Sequence, residues 1–527
     1  MITRRLFLER VGQVGGTAAV YQAMTALGML AGPAEAASGP FALDGPSGKG
    51  TKVLILGAGL AGMNTAYELG KRGYECQILE ARNRPGGRCH TIRGGTVETE
   101  LDGTRQVCQF DKGLYINPGP ARIPQHHVTL DYCRELNVAI EPFAQVNEAA
   151  YYYHENVGAL SGQRIRVRET KADLYGYTAE LLAKAVSQTS LDLGLTAQDK
   201  ERLLDFLASD GSISRGDWRY GRSDRAGYRI FPGAGEALGA FDEPRRLHDL
   251  LEAGFGRHFA EDYPLNWQMM MFQMVGGNDN LPRAFARKLG RRITYNAVVT
   301  EIRQGENGVR VVYTQGKDTR TATADFCVCA IPISILKDIP GDFSKETARA
   351  IAGISYAPTG KIGIQFKRRF WEEDDRIFGG ITRTNLPITQ IFYPSTGFLG
   401  QKGVLVGYYN FGTDAETFGA LPPAERTARA LTEGVKIHPQ YRAEYENAFS
   451  IAWERVPYTK GGWAAWDDVG RRDLYPILNR ADGRIYFAGE HLSYLTGWMA
   501  GALESARLVS RAIHQRAANQ TRKAPSS

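Results

Sequence analysis

Residues 52–62 read Lys52-Val-Leu-Ile-Leu-Gly57-Ala-Gly59-Leu-Ala-Gly62, a short apolar run followed at once by three spaced glycines. The run is bounded by turn residues and predicts a buried parallel strand, and residues 63–72 continue as a helix. The first glycine permits a tight turn, the second lets a pyrophosphate approach the backbone, and the third lets the helix pack on the strand. This order of strand, glycines and helix predicts a dinucleotide-binding fold.

The next strand supplies an acidic residue at the spacing that this fold uses. Residues 74–79 are predicted to form a second strand, which ends at Glu80, 18 positions after Gly62. A carboxylate there can bind both hydroxyls of a ribose, while the N-terminus of the preceding helix faces the phosphates. The acidic residue makes the glycine pattern much more specific than it would be alone.

Composition bounds the rest of the chain. A length of 527 residues exceeds what one hydrophobic core supports, so two or more domains are expected. The 43% hydrophobic and 23% charged residues exclude a disordered, collagen-like or multi-span membrane protein. A net charge of +7 over this length does not predict a nucleic-acid partner. The six cysteines form no CxxC pair and are expected to be buried small side chains, with no metal site.

Further motifs narrow the type of dinucleotide. Directly after Glu80, the block Ala81-Arg82-Asn-Arg84-Pro-Gly86-Gly87-Arg88 resembles the glycine doublet of flavin-dependent amine oxidases. Its glycines would pass close to the pyrophosphate, and Arg88 would add a charge-assisted contact. The likeness continues at Val298-Val299, over residues 325–332 and over residues 484–505. The chain therefore resembles this family over nearly all of its length after residue 50.

The resemblance implies FAD as the cofactor. Trp463 stands where monoamine oxidases carry the cysteine that bonds flavin, so the FAD is expected to be non-covalent. A helix after Trp498 would point its N-terminus at the N1/C2=O edge of the isoalloxazine, where reduced flavin is negative. The implied cofactor-binding residues are Gly57, Gly59, Leu60, Ala61, Gly62, Glu80, Ala81, Arg82, Gly87, Arg88, Gly119, Ala121, Arg122, Val299, Gly489, Glu490, Gly497, Trp498, Met499 and Ala502.

The fold class implied is α/β. A Rossmann-like FAD-binding domain of the GR2 type is expected beside a mixed-sheet substrate domain and a helical insert. The expected boundaries are an export signal at 1–37, a linker at 38–50, the FAD-binding domain at 50–90, 276–345 and 480–516, the substrate domain at 91–160 and 346–479, the helical insert at 161–275 and a disordered tail at 517–527.

Substrate residues are implied by likeness to the L-amino acid oxidases of this family. Arg122, framed by Gly119-Pro and Ile-Pro, resembles the arginine that binds the substrate carboxylate, a task suited to a guanidinium. Tyr393 resembles the tyrosine that makes the second carboxylate contact. Lys361 matches the lysine that holds a water near flavin N5. The indoles of Trp463 and Trp498 could wall the side-chain pocket.

The reaction implied is oxidative deamination of an L-amino acid. Hydride passes from Cα to flavin N5, dioxygen reoxidises the flavin to give hydrogen peroxide, and the imine hydrolyses to a 2-oxo acid and ammonia. Three alternatives stay open: a monooxygenase that decarboxylates the amino acid to an amide, an oxidase of amines without a carboxylate, and a binding module with a dead site. A homodimer or higher homo-oligomer without stable membrane insertion is expected.

The N-terminus predicts export. Arg4-Arg5, followed by Phe7-Leu8, resembles a twin-arginine signal, and Ala34-x-Ala36 resembles a cleavage site. The expected location is the periplasm or the outside of the cell, or the cytoplasm if the signal does not function.

Overall fold

The structure is a computed structural model that describes residues 41–188, 194–262 and 264–523. The expected export signal at 1–37 lies outside the described residues. Residues 41–46 belong to a separate N-terminal unit and are irregular, whereas the described residues from 47 onward form one compact unit. The domain boundaries expected from the sequence stay a prediction.

A five-stranded parallel sheet lies at the centre of the dinucleotide fold. Its strands run in the spatial order Ile293–Thr294, Glu75–Leu79, Lys52–Leu56, Phe326–Cys329 and Ile485–Phe487. The central strands are apolar and almost wholly buried, as parallel strands covered on both faces should be. Cys327 and Cys329 fill this core, and all six cysteines are free and buried, as the sequence predicts.

Three helices pack beside this sheet. Leu60–Lys71 follows the glycine turn and packs against both Asn280–Leu289 and the long C-terminal helix Met499–Lys523. The C-terminal helix runs through residues 517–523, where the sequence predicts a disordered tail. Alanine, glutamine, arginine and lysine in this stretch are good helix formers, which accounts for the difference.

A seven-stranded mixed sheet forms the second layer. Only the pair Ile381–Thr384 and Tyr151–Tyr153 is parallel, and every other pair is antiparallel. The spatial order is Tyr445–Ala452, Thr359–Phe366, Gly403–Phe411, Gln390–Phe392, Ile381–Thr384, Tyr151–Tyr153 and Ile165–Arg166. Every residue of Thr359–Phe366 is buried, which places this strand at the centre of the molecule.

Residues 161–275 are helical only in part. Helices span Val167–Ser187, Ala197–Asp210, Leu247–Ala253 and Arg257–Ala260. The segment ends in a strand, Met270–Met274, which pairs with Ile140–Ala144. This strand lies within the range 161–275 that the sequence predicts as a helical insert, so that prediction is wrong for residues 270–274.

The remaining elements connect these layers. A three-stranded antiparallel sheet comprises Ala297–Gly305, Gly308–Gln315 and Asp318–Ala324. Short strand pairs are Ile92–Arg93 with Tyr115–Ile116, Val97–Thr99 with Arg105–Val107, and Ser355–Tyr356 with Ala464–Ala465. Further helices span Thr129–Glu135, Ile333–Leu336, Lys345–Ala352, Phe370–Glu373, Gly412–Gly419, Pro423–Ile437, Tyr441–Glu444, Asp468–Asp473 and Tyr475–Leu478. Among the described residues, no helix is long and apolar enough to cross a membrane.

Candidate active site

One cavity of about 390 Å³ runs from the glycine turn of the parallel sheet to the strands of the mixed sheet. Its first end is formed by the loops after the parallel strands, and its far end by aromatic side chains, Arg122 and Lys361. Ligands of open α/β sheets bind at the carboxyl ends of the strands, where this cavity begins.

The glycine turn is shaped for a pyrophosphate. Gly57 has φ +104°, which only glycine adopts without strain. A Cβ at Gly62 would lie 2.0 Å from the Gly57 carbonyl oxygen, whereas a Cβ at Gly59 would meet nothing within 4 Å and would project into open space. No side chain caps the helix that starts at Leu60, so its first N–H groups remain available to an anion.

Glu80 stands at the position expected of a ribose-binding carboxylate. It is 6% exposed, lines the cavity and accepts hydrogen bonds from the backbone N–H groups of Ala58 at 2.6 Å and Arg82 at 2.9 Å. Burial raises the pKa of this carboxyl group, and the two backbone N–H donors oppose that shift. The same carboxylate thus ties the glycine turn to the second strand and borders the space for a ribose.

The second glycine turn holds Arg88 against the C-terminal motif. Arg88 Nη1 donates to Glu490 Oε1 and to the Gly462 carbonyl, both at 2.7 Å. Glu490 Oε2 in turn accepts from the Gly497 N–H at 3.2 Å. This partly buried pair therefore joins three segments that are distant in sequence, and the contact of Arg88 with a phosphate stays a prediction.

The structure brings nearly all of the expected cofactor-binding residues together. All of them line the cavity except Gly62, which packs the helix against the turn. The glycine cradle, Glu80 and the uncapped helix fit FAD, and the roles of the individual residues stay predictions.

Arg122 is a buried cation that lacks a counter-charge. It is 7% exposed, no carboxylate pairs with it among the described residues, and its Nε has no hydrogen-bond partner there. The Trp267 ring covers its guanidinium at 4.4 Å from Cζ, and the Phe392 ring lies 5.2 Å away. Burial lowers the pKa of Arg122 to about 10, so it stays charged at neutral pH. A buried, unpaired guanidinium in a cavity is a binding site for an anion.

The loop that carries Arg122 is firmly held. Asn278 Nδ2 donates to the Pro120 carbonyl at 2.9 Å, and Trp453 Nε1 donates to the Pro118 carbonyl at 3.0 Å. Ile123 N donates to the Phe272 carbonyl at 2.7 Å. Asn278 therefore helps to fix the arginine loop.

Lys361 lies inside the protein, not on a solvated strand face. It is 2% exposed, and its Nζ donates to the carbonyl oxygens of Gly119 at 2.7 Å and Asn117 at 3.4 Å. Its Nζ lies 4.1 Å from the centre of the Tyr409 ring. Burial first, and the positive charge of Arg122 second, hold the pKa of Lys361 well below its usual range.

The assignment of Tyr393 to the substrate carboxylate is wrong. Tyr393 does not line the cavity, and its hydroxyl bonds to His438 Nε2 at 2.6 Å and Thr382 Oγ1 at 2.8 Å in a buried network. Side chains alternate along an extended segment, and here Phe392 faces Arg122 while Tyr393 faces the opposite core. The side chain of this segment that faces Arg122 is therefore Phe392, which has no hydroxyl for a carboxylate contact.

Tyr393→Phe should therefore affect stability rather than substrate binding. The change leaves His438 Nε2 without its buried partner and removes one of the two hydrogen bonds of Thr382 Oγ1, at a cost of about 1–3 kcal/mol in the free energy of unfolding. Denaturant unfolding should show this loss, while KM for amino acids stays at the wild-type value. A rise in KM for amino acids alone would restore the substrate role.

The sequence analysis did not identify several cavity residues, among them Trp267, Tyr409, Trp453 and His491. Tyr409 lies directly opposite Lys361 in the pairing of their strands, so only the register reveals it. Burial raises its pKa to about 12, which keeps the hydroxyl neutral. Burial also lowers the pKa of the cavity histidine His491 to about 4.

The expected pocket tryptophans lie where the sequence places them. Trp463 and Trp498 both line the cavity, and Trp267 meets Trp498 edge-on at 5.4 Å between ring centres. Among the described lining residues, the acidic ones are Glu80 and Glu490, both at the cofactor end. The far end therefore combines aromatic walls with one uncompensated positive charge.

Comparison with known proteins identifies the relatives of this chain. The family model described as flavin containing amine oxidoreductase matches residues 60–514. A Bacillus subtilis protein, YobN, provisionally named an L-amino-acid oxidase, is 29% identical over 88% of this chain and 94% of its own length. The L-amino-acid oxidase of the snake Pseudechis australis is 26% identical over 88% of this chain and 86% of its own length.

Solved structures share the architecture. A putrescine oxidase bound to putrescine superposes with a TM-score of 0.59 at 18% identity, over 88% of this chain and 99% of that one. At this identity the likeness shows the fold alone, and it confirms the α/β fold class that the sequence predicts.

Proposed function

Since the chain belongs to the family of flavin-containing amine oxidoreductases, we propose that its substrates are L-amino acids. The observation that carries this proposal is the buried guanidinium of Arg122, which has no carboxylate partner among the described residues. An amine without a carboxylate would leave that charge buried and uncompensated, which is costly, whereas the α-carboxylate of an amino acid would neutralise it.

The cofactor is FAD, in keeping with the family and the fit of the cavity. When bound, FAD accepts the hydride from the substrate Cα and passes the electrons to dioxygen, which yields hydrogen peroxide. The protein's part is positioning. The Arg122 guanidinium fixes the carboxylate, and the Trp267 and Phe392 rings on its flanks limit the directions from which a carboxylate can approach.

Trp463 and Trp498 are proposed to wall the space for the substrate side chain. Trp498 is held by Trp267 and by His127, whose ring centre lies 5.2 Å away. Burial lowers the pKa of His127 to about 4, so it adds no positive charge at neutral pH. These groups support uncharged side chains as substrates, because the far end of the cavity offers no acidic residue to pair a cation.

Product analysis distinguishes this proposal from its alternatives. Holoenzyme is given an L-amino acid in air, and peroxide, 2-oxo acid, amide and carbon dioxide are measured together. Peroxide and 2-oxo acid in equal amounts support the oxidase. Amide with carbon dioxide would identify a monooxygenase, and turnover confined to amines would identify an amine oxidase.

The FAD should come off the protein on denaturation. Position 463 holds a tryptophan, which forms no thioether, and Cys89, a cavity-lining cysteine, donates its Sγ–H to the Asn278 carbonyl at 3.0 Å. Burial raises the pKa of Cys89, so its thiol is unreactive. Acid precipitation should leave all of the yellow colour in the supernatant. Flavin retained in the pellet would reveal a covalent bond.

We also propose export through the twin-arginine route, supported by Arg4-Arg5 and Ala34-x-Ala36. This route carries folded proteins, so FAD would be loaded before export. Arg4→Lys combined with Arg5→Lys should leave active enzyme in the cytoplasm of the native host. Activity assays on cell fractions check this, and equal periplasmic activity of the double variant would refute the route.

A homodimer or higher homo-oligomer is the proposed assembly. The segment 228–241 supports it with exposed apolar side chains, among them Phe231 at 75% and Leu238 at 88% exposure. Sedimentation of the purified holoenzyme measures the mass directly.

A further inference from the structure

The hydrogen-bond environment of Lys361 can hold a neutral amine. A neutral amine has two N–H donors and one lone pair, whereas an ammonium has three donors. Nζ meets two acceptors among the described residues, the carbonyl oxygens of Gly119 and Asn117. The two carbonyls take up two of the three positions on nitrogen, and the third position can carry the lone pair that accepts a proton. Because Lys361 lines the cavity, a ligand there can reach it.

The surroundings of Lys361 hold one charged group. On one side its strand pairs with Gly403–Phe411, which presents the neutral Tyr409 ring, and on the other Lys361 lies opposite Ile451. The loop over residues 117–122 adds the two carbonyls and Arg122. No carboxylate forms an ion pair with Lys361 in the described part of the chain. The positive charge of Arg122 therefore acts on Nζ without compensation.

We propose that Lys361 is the base that removes the ammonium proton of the substrate, and that it does so only after the substrate carboxylate has neutralised Arg122. The inference rests on the proposed function, because it requires a carboxylate at Arg122. An amino acid arrives as a zwitterion, and its nitrogen must be unprotonated to push electrons into the imine as hydride leaves Cα. Proton removal is thus a necessary step that the positioning residues alone do not supply.

The step balances in protons and charge. One N–H bond of the substrate ammonium breaks, one N–H bond forms at Nζ, and no electrons change hands. Before the transfer, Arg122 and the substrate ammonium are positive and the substrate carboxylate is negative. After the transfer, the positive charge of the ammonium lies on Lys361, and the other two charges are unchanged. The Tyr409 ring, 4.1 Å from Nζ, stabilises the lysine ammonium once it has formed. We call the requirement that a carboxylate neutralise Arg122 before Lys361 takes up a proton the gate. It follows from Coulomb's law, since an unneutralised Arg122 repels a second cation in a buried site.

A ligand with a carboxylate but no amine tests the gate alone, because it can neutralise Arg122 without bringing an ammonium proton. Benzoate is titrated into FAD-loaded enzyme in weak buffer with a pH indicator, and binding is followed by the flavin spectrum. Because benzoate brings no proton, Lys361 must take one from solvent, and at most one proton per benzoate should be consumed. Between the pKa values of Lys361 in free and bound enzyme, Kd should rise about tenfold per pH unit. Lys361→Met should abolish both effects, whereas Lys317→Met, at an exposed turn, should retain them.

Proton consumption below a tenth of an equivalent across the pH range, or equal consumption by Lys361→Met, overturns the gate while the carboxylate site stands. A benzoate affinity that Arg122→Ala leaves unchanged overturns the proposed function itself, and the gate with it. The wild-type arm decides the question even if Lys361→Met folds poorly.

The pH profile of flavin reduction tests the base directly. The measurement mixes enzyme and an L-amino acid without oxygen. The Lys361→Met variant has no base at this position, so it can oxidise only substrate whose amine has already lost its proton in water. Its reduction rate should therefore rise about tenfold per pH unit up to the amine pKa, while the wild-type rate rises at lower pH. Identical profiles for the two proteins would exclude Lys361 as the base.

Discussion

Arg122→Ala should lose 10- to 1000-fold in kcat/KM for L-amino acids. Charge-assisted hydrogen bonds contribute about 1.5–3 kcal/mol each, and the buried guanidinium can supply two of them to one carboxylate. Because the same contact orients Cα, kcat should fall as KM rises. Steady-state peroxide assays with several amino acids measure both constants.

Two controls separate substrate binding from damage to the enzyme. Flavin content should stay near wild type, because no contact of Arg122 supports the glycine turn. Arg122→Lys keeps the charge but loses the planar fork, so its loss should be intermediate. An arylalkylamine, which has no carboxylate to lose from Arg122, should show no fall in kcat/KM with Arg122→Ala. Wild-type turnover of amino acids by Arg122→Ala would refute the role, as would loss of FAD from that variant.

Gly62→Ala should weaken the binding of FAD. The new Cβ would lie 2.0 Å from the Gly57 carbonyl oxygen, so the helix Leu60–Lys71 must move away from the turn. Overpacking of this kind destabilises the packed conformation by about 1–3 kcal/mol. If only the FAD-bound protein needs that conformation, the Kd for FAD rises by about 5- to 150-fold. Titration of apoprotein with FAD, followed by fluorescence, gives the Kd.

A matched substitution lies in the same helix. A Cβ at Gly70 would meet the end of the flexible Arg292 side chain at 2.7 Å, and that side chain can move aside. Gly70→Ala should therefore bind FAD as the wild type does. Equal FAD affinity of Gly62→Ala and Gly70→Ala would show that the close packing at the turn does not matter for the cofactor.

Features that depend on neighbouring residues could be predicted from the sequence. The glycine turn, Glu80 and the loop of Arg122 are local, because each glycine or proline restricts the backbone where it stands. Lys361 also stood out, since a lysine at the start of an apolar strand needs an explanation. The fold class follows from these motifs and is confirmed by the sheets and by the solved relatives.

Features that depend on strand register or on distant segments could not be predicted. Tyr393 and Phe392 are adjacent, and only the orientation of their strand decides which one faces Arg122. Tyr409 becomes a site residue because it pairs with Lys361 across two strands. Trp267 comes from a segment without any motif, and it reaches Arg122 only because Ile123 and Phe272 pair there.

The most direct test of a carboxylate-dependent oxidase is anaerobic reduction of the bound flavin. Holoenzyme is mixed in a stopped-flow instrument with L-phenylalanine, D-phenylalanine and phenethylamine, other L-amino acids being added as a panel. We expect rapid loss of flavin absorbance with L-amino acids, and far slower loss with the D-isomer and with the amine, which lacks the carboxylate that Arg122 binds. Equal or faster reduction by phenethylamine, with no L-amino acid reducing the flavin, would contradict the assignment.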